Sequence, residues 1–260
     1  MAGRVYTTTE GRIGWIVFDN QARRNAISGE MWRAIPPAVQ LLDADPSVRV
    51  VVMRGAGEVA FVSGADISEF EHARVGAAAE EYDQQNARAF SALLACSKPL
   101  LAMIHGFCVG GGCALALTAD LRYSADDGVF AIPAARLGLG YSASGIELLV
   151  HVLGPSAAKE LFFTARRFPA LDALRLGVIN HILPKADLET VVREVAEEIA
   201  GNAPLTIRAA KRAMQELLRE PAQRDHDGIA RAIHACYESA DYAEGVRAFL
   251  EKRRPHFHGR

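Results

Sequence analysis

Ile104-His105-Gly106-Phe107-Cys108-Val109-Gly110-Gly111-Gly112-Cys113-Ala114-Leu115-Ala116-Leu117 is the stretch around which the rest of the chain is arranged. It is entered by Leu100–Ile104, an apolar run that reads as a buried strand. Beyond the three glycines, Cys113–Ala119 is small, apolar and helix-favouring. The triplet therefore sits at a turn from strand into a buried helix. Glycine there permits backbone angles that other residues avoid, and its missing Cβ lets a ligand approach the main chain. The unpaired N–H groups of a helix's first turn then face whatever lies in front of them. Two readings stand. The turn holds an anion or an oxygen that gains negative charge during reaction, or it is a tight turn packed on a neighbouring strand.

Working outward, the 260-residue chain is 50% hydrophobic, with 29 Lys and Arg against 31 Asp and Glu. That is the profile of a globular chain with a large core in one or two domains. No positive excess points to nucleic acid, and the basic end Lys252–Arg260 is short enough to be a solvated tail. Met1–Glu10 has no apolar h-region, so no signal peptide is expected. No apolar run approaches a membrane span. Cys96, Cys108, Cys113 and Cys236 form no Cys-x-x-Cys pair, and three of them sit in apolar surroundings. A reducing cytoplasm is the simplest inference. His151, His181, His226 and His234 have no ligand spacing with carboxylates or thiols, so no metal is expected.

Taken in order, Val5–Thr9 and Ile13–Phe18 are strand-like runs split by Glu10-Gly11-Arg12, a hairpin signal. Ser28 is an N-cap candidate for a helix through Leu42, which Pro36 and Pro37 are expected to break or kink. Val48–Met53 is a continuous β-branched run, as in a strand buried on both faces. Ser68–Ala95 reads as helix. Asp120–Ala125, Val129–Ile132 and Gly177–Leu183 read as strands, and Gly138–Gly145 as a glycine- and serine-rich loop. Helical patterns cover Ile146–Leu153, Ser156–Phe163 and Ala170–Leu176, then Leu188–Asn202, Leu205–Leu218, Gln223–Glu238 and Tyr242–Lys252. Strands alternating with helices, then a helical tail, indicate an α/β core with a helical C-terminal part. That tail cannot bury its apolar faces alone and needs the core or another subunit.

Asn25-Ala26-Ile27-Ser28, Ser63-Gly64-Ala65-Asp66-Ile67 and Gly110-Gly111-Gly112-Cys113, in this order and spacing, resemble the crotonase (enoyl-CoA hydratase/isomerase) superfamily. Lys98-Pro99, Gly177-Val178-Ile179-Asn180 and Phe249–Pro255 extend the resemblance over nearly the whole chain. It implies a spiral of ββα turns over residues 1–195 and a helical trimerisation region over 196–260, with trimers that often pair into hexamers. It implies an acyl-CoA thioester substrate, coenzyme A being part of the substrate and no separate cofactor being needed. In this family two main-chain N–H groups bind the thioester oxygen, and the matching positions are Ala65 and Gly111. Ala26 and Ala65-Asp66-Ile67 match the main chain that cradles CoA. Arg23 or Arg24 is placed to pair with its phosphates, and Phe249 and Lys252 match positions through which a neighbouring subunit touches CoA.

The resemblance breaks at the acid/base pair. Typical hydratases carry a glutamate directly after Gly-Gly-Gly-Cys and another after a proline in the strand-to-loop segment; here these positions are Ala114 and Ala134. A methyl group moves no protons, so ordinary hydration by that pair is not expected. Tyr141 stands where the family usually has proline, and methylmalonyl-CoA decarboxylases of the family carry tyrosine there and lack one or both glutamates. Tyr237–Gly245 is also similar to their ending, whereas Ala65 departs from a histidine that can occur in them. Decarboxylation creates the enolate directly and needs no general base, with Tyr141 orienting the departing carboxylate or protonating the product. The alternatives are hydration or isomerisation by an unfamiliar group, Glu147 being the nearest acid, and a relative that binds acyl-CoA without turnover. Asp66 reads as a helix cap, Asp120 and His105 as structural, and Ser142 and Ser144 as turn-stabilising.

Overall fold

The computed structural model describes residues 3–69 and 77–260. The chain opens with a hairpin, β1 (Arg4–Glu10) and β2 (Ile13–Asp19), closed where Glu10 pairs with Ile13. Helix α1 (Gly29–Ala44) follows, and the Ser28 hydroxyl accepts the Met31 N–H at 3.3 Å, the cap expected of it. The helix runs unbroken through Pro36 and Pro37. Two N–H donors are lost there, but Met31, Trp32, Ile35, Val39 and Leu42 bury one continuous face, which holds the helix together.

From there the chain repeats one unit. It lays a strand in a large sheet, a strand in a small sheet, then a helix. The units are β3 (Val50–Gly55), β4 (Ala60–Val62) and α2 (Ala77–Ala95); β5 (Leu100–Ile104), β6 (Phe107–Val109) and α3 (Gly111–Leu117); and β7 (Leu121–Ala125), β8 (Val129–Ala131), α4 (Ala134–Leu137) and α5 (Ala143–Thr164). Then come β9 (Phe168–Pro169), α6 (Ala170–Arg175) and β10 (His181–Leu183). The sheet orders are β1-β2-β3-β5-β7-β10 and β4-β6-β8-β9. All pairings are parallel except β1 with β2 and β8 with β9. This is the expected ββα spiral.

The large sheet is buried on both faces, as the β-branched run predicts. Val51, Met53, Ala102 and Ile104 point into the core shared with α1, α2 and α3. Val50, Val52, Leu101 and Met103 meet Leu188, Val192, Ala196 and Ala200 of α7 (Leu188–Gly201). Helix α7 thus runs across the 195/196 boundary while packed on the sheet. The chain ends in α8 (Pro204–Leu217), α9 (His226–Tyr237) and α10 (Ala240–Leu250), which leave Met214, Tyr237, Phe249 and Leu250 exposed.

Several boundaries differ from the sequence reading. The glycine triplet does not follow the Leu100–Ile104 strand directly, because β6 lies between them. The chain leaves the large sheet at Gly106, whose φ is 50° and where a Cβ would lie 2.0 Å from the Val59 carbonyl oxygen. The helix expected over Ser68–Ala95 is a 3₁₀ turn at Ile67–Glu69 and then α2, residues 70–76 lying outside the described residues. Of Gly177–Leu183 only the last three residues are strand, since Gly177 takes φ 77° and the Asn180 side chain accepts the Arg122 N–H. Helix α5 starts inside the expected loop, capped by Ser142, and is interrupted at Gly154 before Pro155, which separates the two helical patterns read there.

Candidate active site

Each glycine of the triplet does something different. Gly110 takes φ 55° and ψ −119°, a conformation that L side chains avoid, and its N–H bonds the Ala131 carbonyl at 2.7 Å. Gly112 faces β4 so closely that a Cβ would stand 2.1 Å from the Val62 carbonyl oxygen. Gly111 is less tightly enclosed. A Cβ there would lie 3.2 Å from the Trp32 ring and 3.8 Å from the Ala65 nitrogen.

Ala65 reaches this point through a stitched pair of loops. Ser63 N–H bonds the Arg24 carbonyl, Ile27 N–H the Gly64 carbonyl and Asp66 N–H the Ile27 carbonyl, at 3.1, 2.8 and 2.9 Å. Asn25, 1% exposed at φ 57°, ties this loop down, its amide donating to the Ala60 and Ala56 carbonyls and accepting from Asn20 N–H. In such parallel pairing the N–H of Ala65 turns away from Ile27. Among the described residues neither Ala65 N–H nor Gly111 N–H has a hydrogen-bond partner. Two main-chain donors thus stand side by side, unpaired among the described residues.

Both border one cavity of about 130 Å³. Ile67 and Tyr141 line it as well, and so do Ala114 and Ala134, which are 8% and 2% exposed. The two positions where the family pattern has carboxylates are therefore methyl groups on this cavity's wall. Tyr141 packs edge-to-face on Phe162 with ring centroids 5.1 Å apart. Glu147 is exposed and does not line the cavity.

Trp32 of α1 escaped the sequence reading, and so did four lining residues of α2: Asp83, Asn86, Ala87 and Phe90. Their i, i+3, i+4, i+7 spacing puts them on one face of α2, and that spacing was the available signal. Opposite them Trp32 donates its indole N–H to the Tyr82 hydroxyl at 3.0 Å and meets Phe90 edge-on. Asp83 is the one charged side chain among the described lining residues.

The other predicted binding residues lie elsewhere. Arg23, not Arg24, reaches Asp66 at 2.6 Å and also donates to Ser68. Burial pushes the Asp66 carboxyl up, but hydrogen bonds from Ser68 and Arg23 outweigh it and hold it below its ordinary value. Asp66 also accepts the Ser68 N–H across the 3₁₀ turn, the capping role read for it. Arg23 and Asp66 line a separate polar cleft with Arg33, Glu30 and Glu69. Arg24 lies over the Phe107 ring, 4.5 Å from its centroid, and Ala26 is buried. Phe249 lines an apolar groove among the C-terminal helices, and neither it nor Lys252 borders the cavity. Asp120 is structural, accepting from Leu100 N–H and Lys211.

Residues 8–260 match the family model described as enoyl-CoA hydratase/isomerase. A crotonyl-CoA hydratase of Syntrophomonas wolfei is 31% identical over 95% of this chain and 95% of that protein. A carnitinyl-CoA dehydratase of Proteus mirabilis is 33% identical over the whole of both chains. The crystal structure of an enoyl-CoA hydratase/isomerase family protein from Hyphomonas neptunium is 35% identical and superposes with a TM-score of 0.93 over 98% of each chain. With the ββα spiral and the paired loops at Ala65 and Gly111, these likenesses establish that the chain is a crotonase-fold member of the enoyl-CoA hydratase/isomerase family.

Proposed function

We propose that the chain decarboxylates a short malonyl-type CoA ester. One observation carries this reading: the unpaired N–H groups of Ala65 and Gly111 share a cavity with Ala114 and Ala134, where the family's usual proton-transfer groups would stand. Such a site can stabilise an enolate but lacks the carboxylate pair that makes one by removing a proton. Loss of CO₂ needs no base. The bond from the α-carbon to the carboxylate breaks, its electron pair moves into the thioester, and the oxygen that gains the charge accepts both N–H groups. A proton delivered to the α-carbon, from the Tyr141 hydroxyl or water, completes the product. A cavity of about 150 Å³ accommodates a benzene ring, so this one suits a short acyl group.

The same reading assigns the CoA end to Ala26, Ala65, Asp66 and Ile67, with Arg24 and Arg23 near the phosphates. Phe249 and Lys252 would come from a neighbouring copy. The exposed apolar face of α8–α10 supports a trimer, or a hexamer of two trimers. No helix among the described residues is long and apolar enough to cross a membrane. All four cysteines are free, which supports a reducing, cytoplasmic location.

Asp83 favours a second reading, in which hydration or isomerisation uses this carboxylate in place of the absent pair. A third, acyl-CoA binding without turnover, is the outcome if no ester changes. The test is mass spectrometry of the purified protein with methylmalonyl-CoA and crotonyl-CoA. Loss of CO₂ from the first, cut about 10²–10³-fold in Gly111→Val and slowed in Tyr141→Phe, supports decarboxylation. Enzyme-like addition of water to crotonyl-CoA, lost in Asp83→Asn, overturns it in favour of the second reading.

A further inference from the structure

Among the described residues, three buried side-chain atoms lack a hydrogen-bond partner: Trp15 Nε1, Arg49 Nη1 and Asn86 Oδ1. Trp15 and Arg49 lie away from the cavity; the Trp15 ring packs against the guanidinium of Arg193, and Arg49 bonds the Phe257 carbonyl through its other nitrogen. Asn86 alone of the three lines the cavity. It stands one helical turn before Phe90, whose ring meets Trp32 edge-on with centroids 5.5 Å apart, and Trp32 in turn flanks Gly111. The unpaired atom is an oxygen, so it needs a donor. No hydroxyl of the described lining residues bonds it. A malonyl-type acyl group brings no donor either, since its carboxylate and thioester oxygens only accept. Water does bring one. It has two hydrogens, so a single molecule can bond Asn86 Oδ1 and point its second hydrogen at the acyl group. The last torsion of asparagine is soft, which lets the oxygen turn toward a water in the cavity.

We propose that Asn86 is a positioning residue that holds the water from which the enolate takes its proton. The inference rests on the decarboxylation reading and assigns its last step. Something in the cavity must supply that proton, and the methyl groups of Ala114 and Ala134 have none to give. The water donates one hydrogen to Asn86 Oδ1 and the other to the substrate carboxylate, bridging two groups that can only accept from it. When the carbon–carbon bond breaks, the carboxylate becomes neutral CO₂, a poor acceptor, and the electron pair spreads from the α-carbon to the thioester oxygen at the Ala65 and Gly111 donors. The free hydrogen of the water then turns to the α-carbon. Its O–H bond breaks, a C–H bond forms, and the hydroxide left behind is reprotonated from solvent. A thioester enolate is a stronger base than hydroxide, so water is acid enough. Because Asn86 fixes the water on the side from which CO₂ departs, the proton reaches one face of the enolate.

The test runs the reaction of methylmalonyl-CoA in D₂O and reads the configuration of the deuterated α-carbon in the propionyl-CoA formed. The parent chain should give one configuration. Asn86→Leu, similar in size and free of polar atoms, should give a mixture of both while CO₂ release slows by up to about tenfold, as for one lost hydrogen bond. Asn86→Asp keeps an acceptor oxygen in the same place and should restore the single configuration. The ratio is read on whatever product forms, so it does not depend on how much of a variant folds, and a merely structural role for Asn86 would not move it. A mixture from the parent chain, or a single configuration retained in Asn86→Leu, overturns the inference and leaves decarboxylation standing. Retention in Asn86→Leu with scrambling in Tyr141→Phe overturns it in favour of the tyrosine hydroxyl. No CO₂ from the parent chain overturns decarboxylation itself, and the role of the water with it.

Discussion

At Gly112 the absent Cβ is a packing requirement, whereas at Gly111 the proposed oxygen-binding role would make it a chemical one. Gly112→Ala places a methyl 2.1 Å from the Val62 carbonyl oxygen, so the sheet must shift, at about 1–3 kcal/mol or more of stability. A Cβ at position 111 would meet the Trp32 ring at 3.2 Å, so in Gly111→Val the ring must give by a few tenths of an ångström while the side chain crowds the cavity. The expected result is a folded protein by circular dichroism whose turnover falls about 10²–10³-fold, as when one oxyanion donor is blocked. A second expectation concerns the missing acids. The double variant Ala114→Glu, Ala134→Glu should gain hydration of crotonyl-CoA over the parent chain, read as loss of the enoyl absorbance; a rate no higher than the parent's would show that more than these carboxylates separates this site from the hydratase pattern. At this scale the glycine turn, Ala65 and the two alanines were legible because main-chain motifs stay contiguous in sequence. Asp83 and Asn86 were not, because helix α2 offers its inward face only once its packing is known.

Among the elements, α1 shows how far local rules reach. Ser28 begins the helix as its hydroxyl predicts, yet the prolines expected to break or kink it are overridden by the buried Trp32 and Ile35 face. The end is set instead by a residue far along the chain. Lys98, 7% exposed, places its ammonium 2.6 Å from both the Leu42 and the Asp45 carbonyls. Burial lowers its pKa from the ordinary lysine value. Lys98→Met keeps the aliphatic stem and strands both carbonyls, so thermal melts should show a loss of about 1–3 kcal/mol for each. An unchanged melting temperature would mean that water replaces the ammonium. Strand and helix positions were mostly readable from hydrophobic period. Two turns set by a positive φ, at Gly106 and Gly177, were not.

For the whole molecule, the three successive ββα turns share a backbone path without sharing a sequence pattern, so no repeat could be read. Which strand joins which sheet depends on pairing between residues distant in the chain. The exposed Phe249, Leu250, Tyr237 and Met214 give an assembly prediction. Light scattering should report three or six times the chain mass, and Phe249→Asp with Leu250→Asp should reduce it to a monomer; a parent chain that is already monomeric would remove the neighbouring-subunit role of Phe249 and Lys252. Acid behaviour belongs here too. Hydrogen bonds and nearby arginines hold Asp66 and Glu189 below their ordinary values of 3.8 and 4.5, against the upward push of burial. The unfolded chain therefore takes up protons first. Burial also holds His105 below its ordinary value of 6.5, so stability should begin to fall as pH drops through about 6.5 and fall further below about 4.5, continuing through the lower native carboxyl values. Denaturant midpoints at pH 7, 5, 4 and 3 would show it, and a midpoint that holds steady to pH 3 would contradict it.

The contact between Gly112 and the Val62 carbonyl has a further consequence, for descent. The corner where the Ala65 and Gly111 N–H groups meet is made of main chain locked against main chain, so drift in side chains leaves it in place. The surrounding walls have no such protection. A lineage can exchange glutamate for alanine, or proline for tyrosine, and inherit the corner unchanged. New reactions on this scaffold then arise by rewriting walls around a fixed anchor, and a name inherited from overall similarity records the anchor better than the reaction.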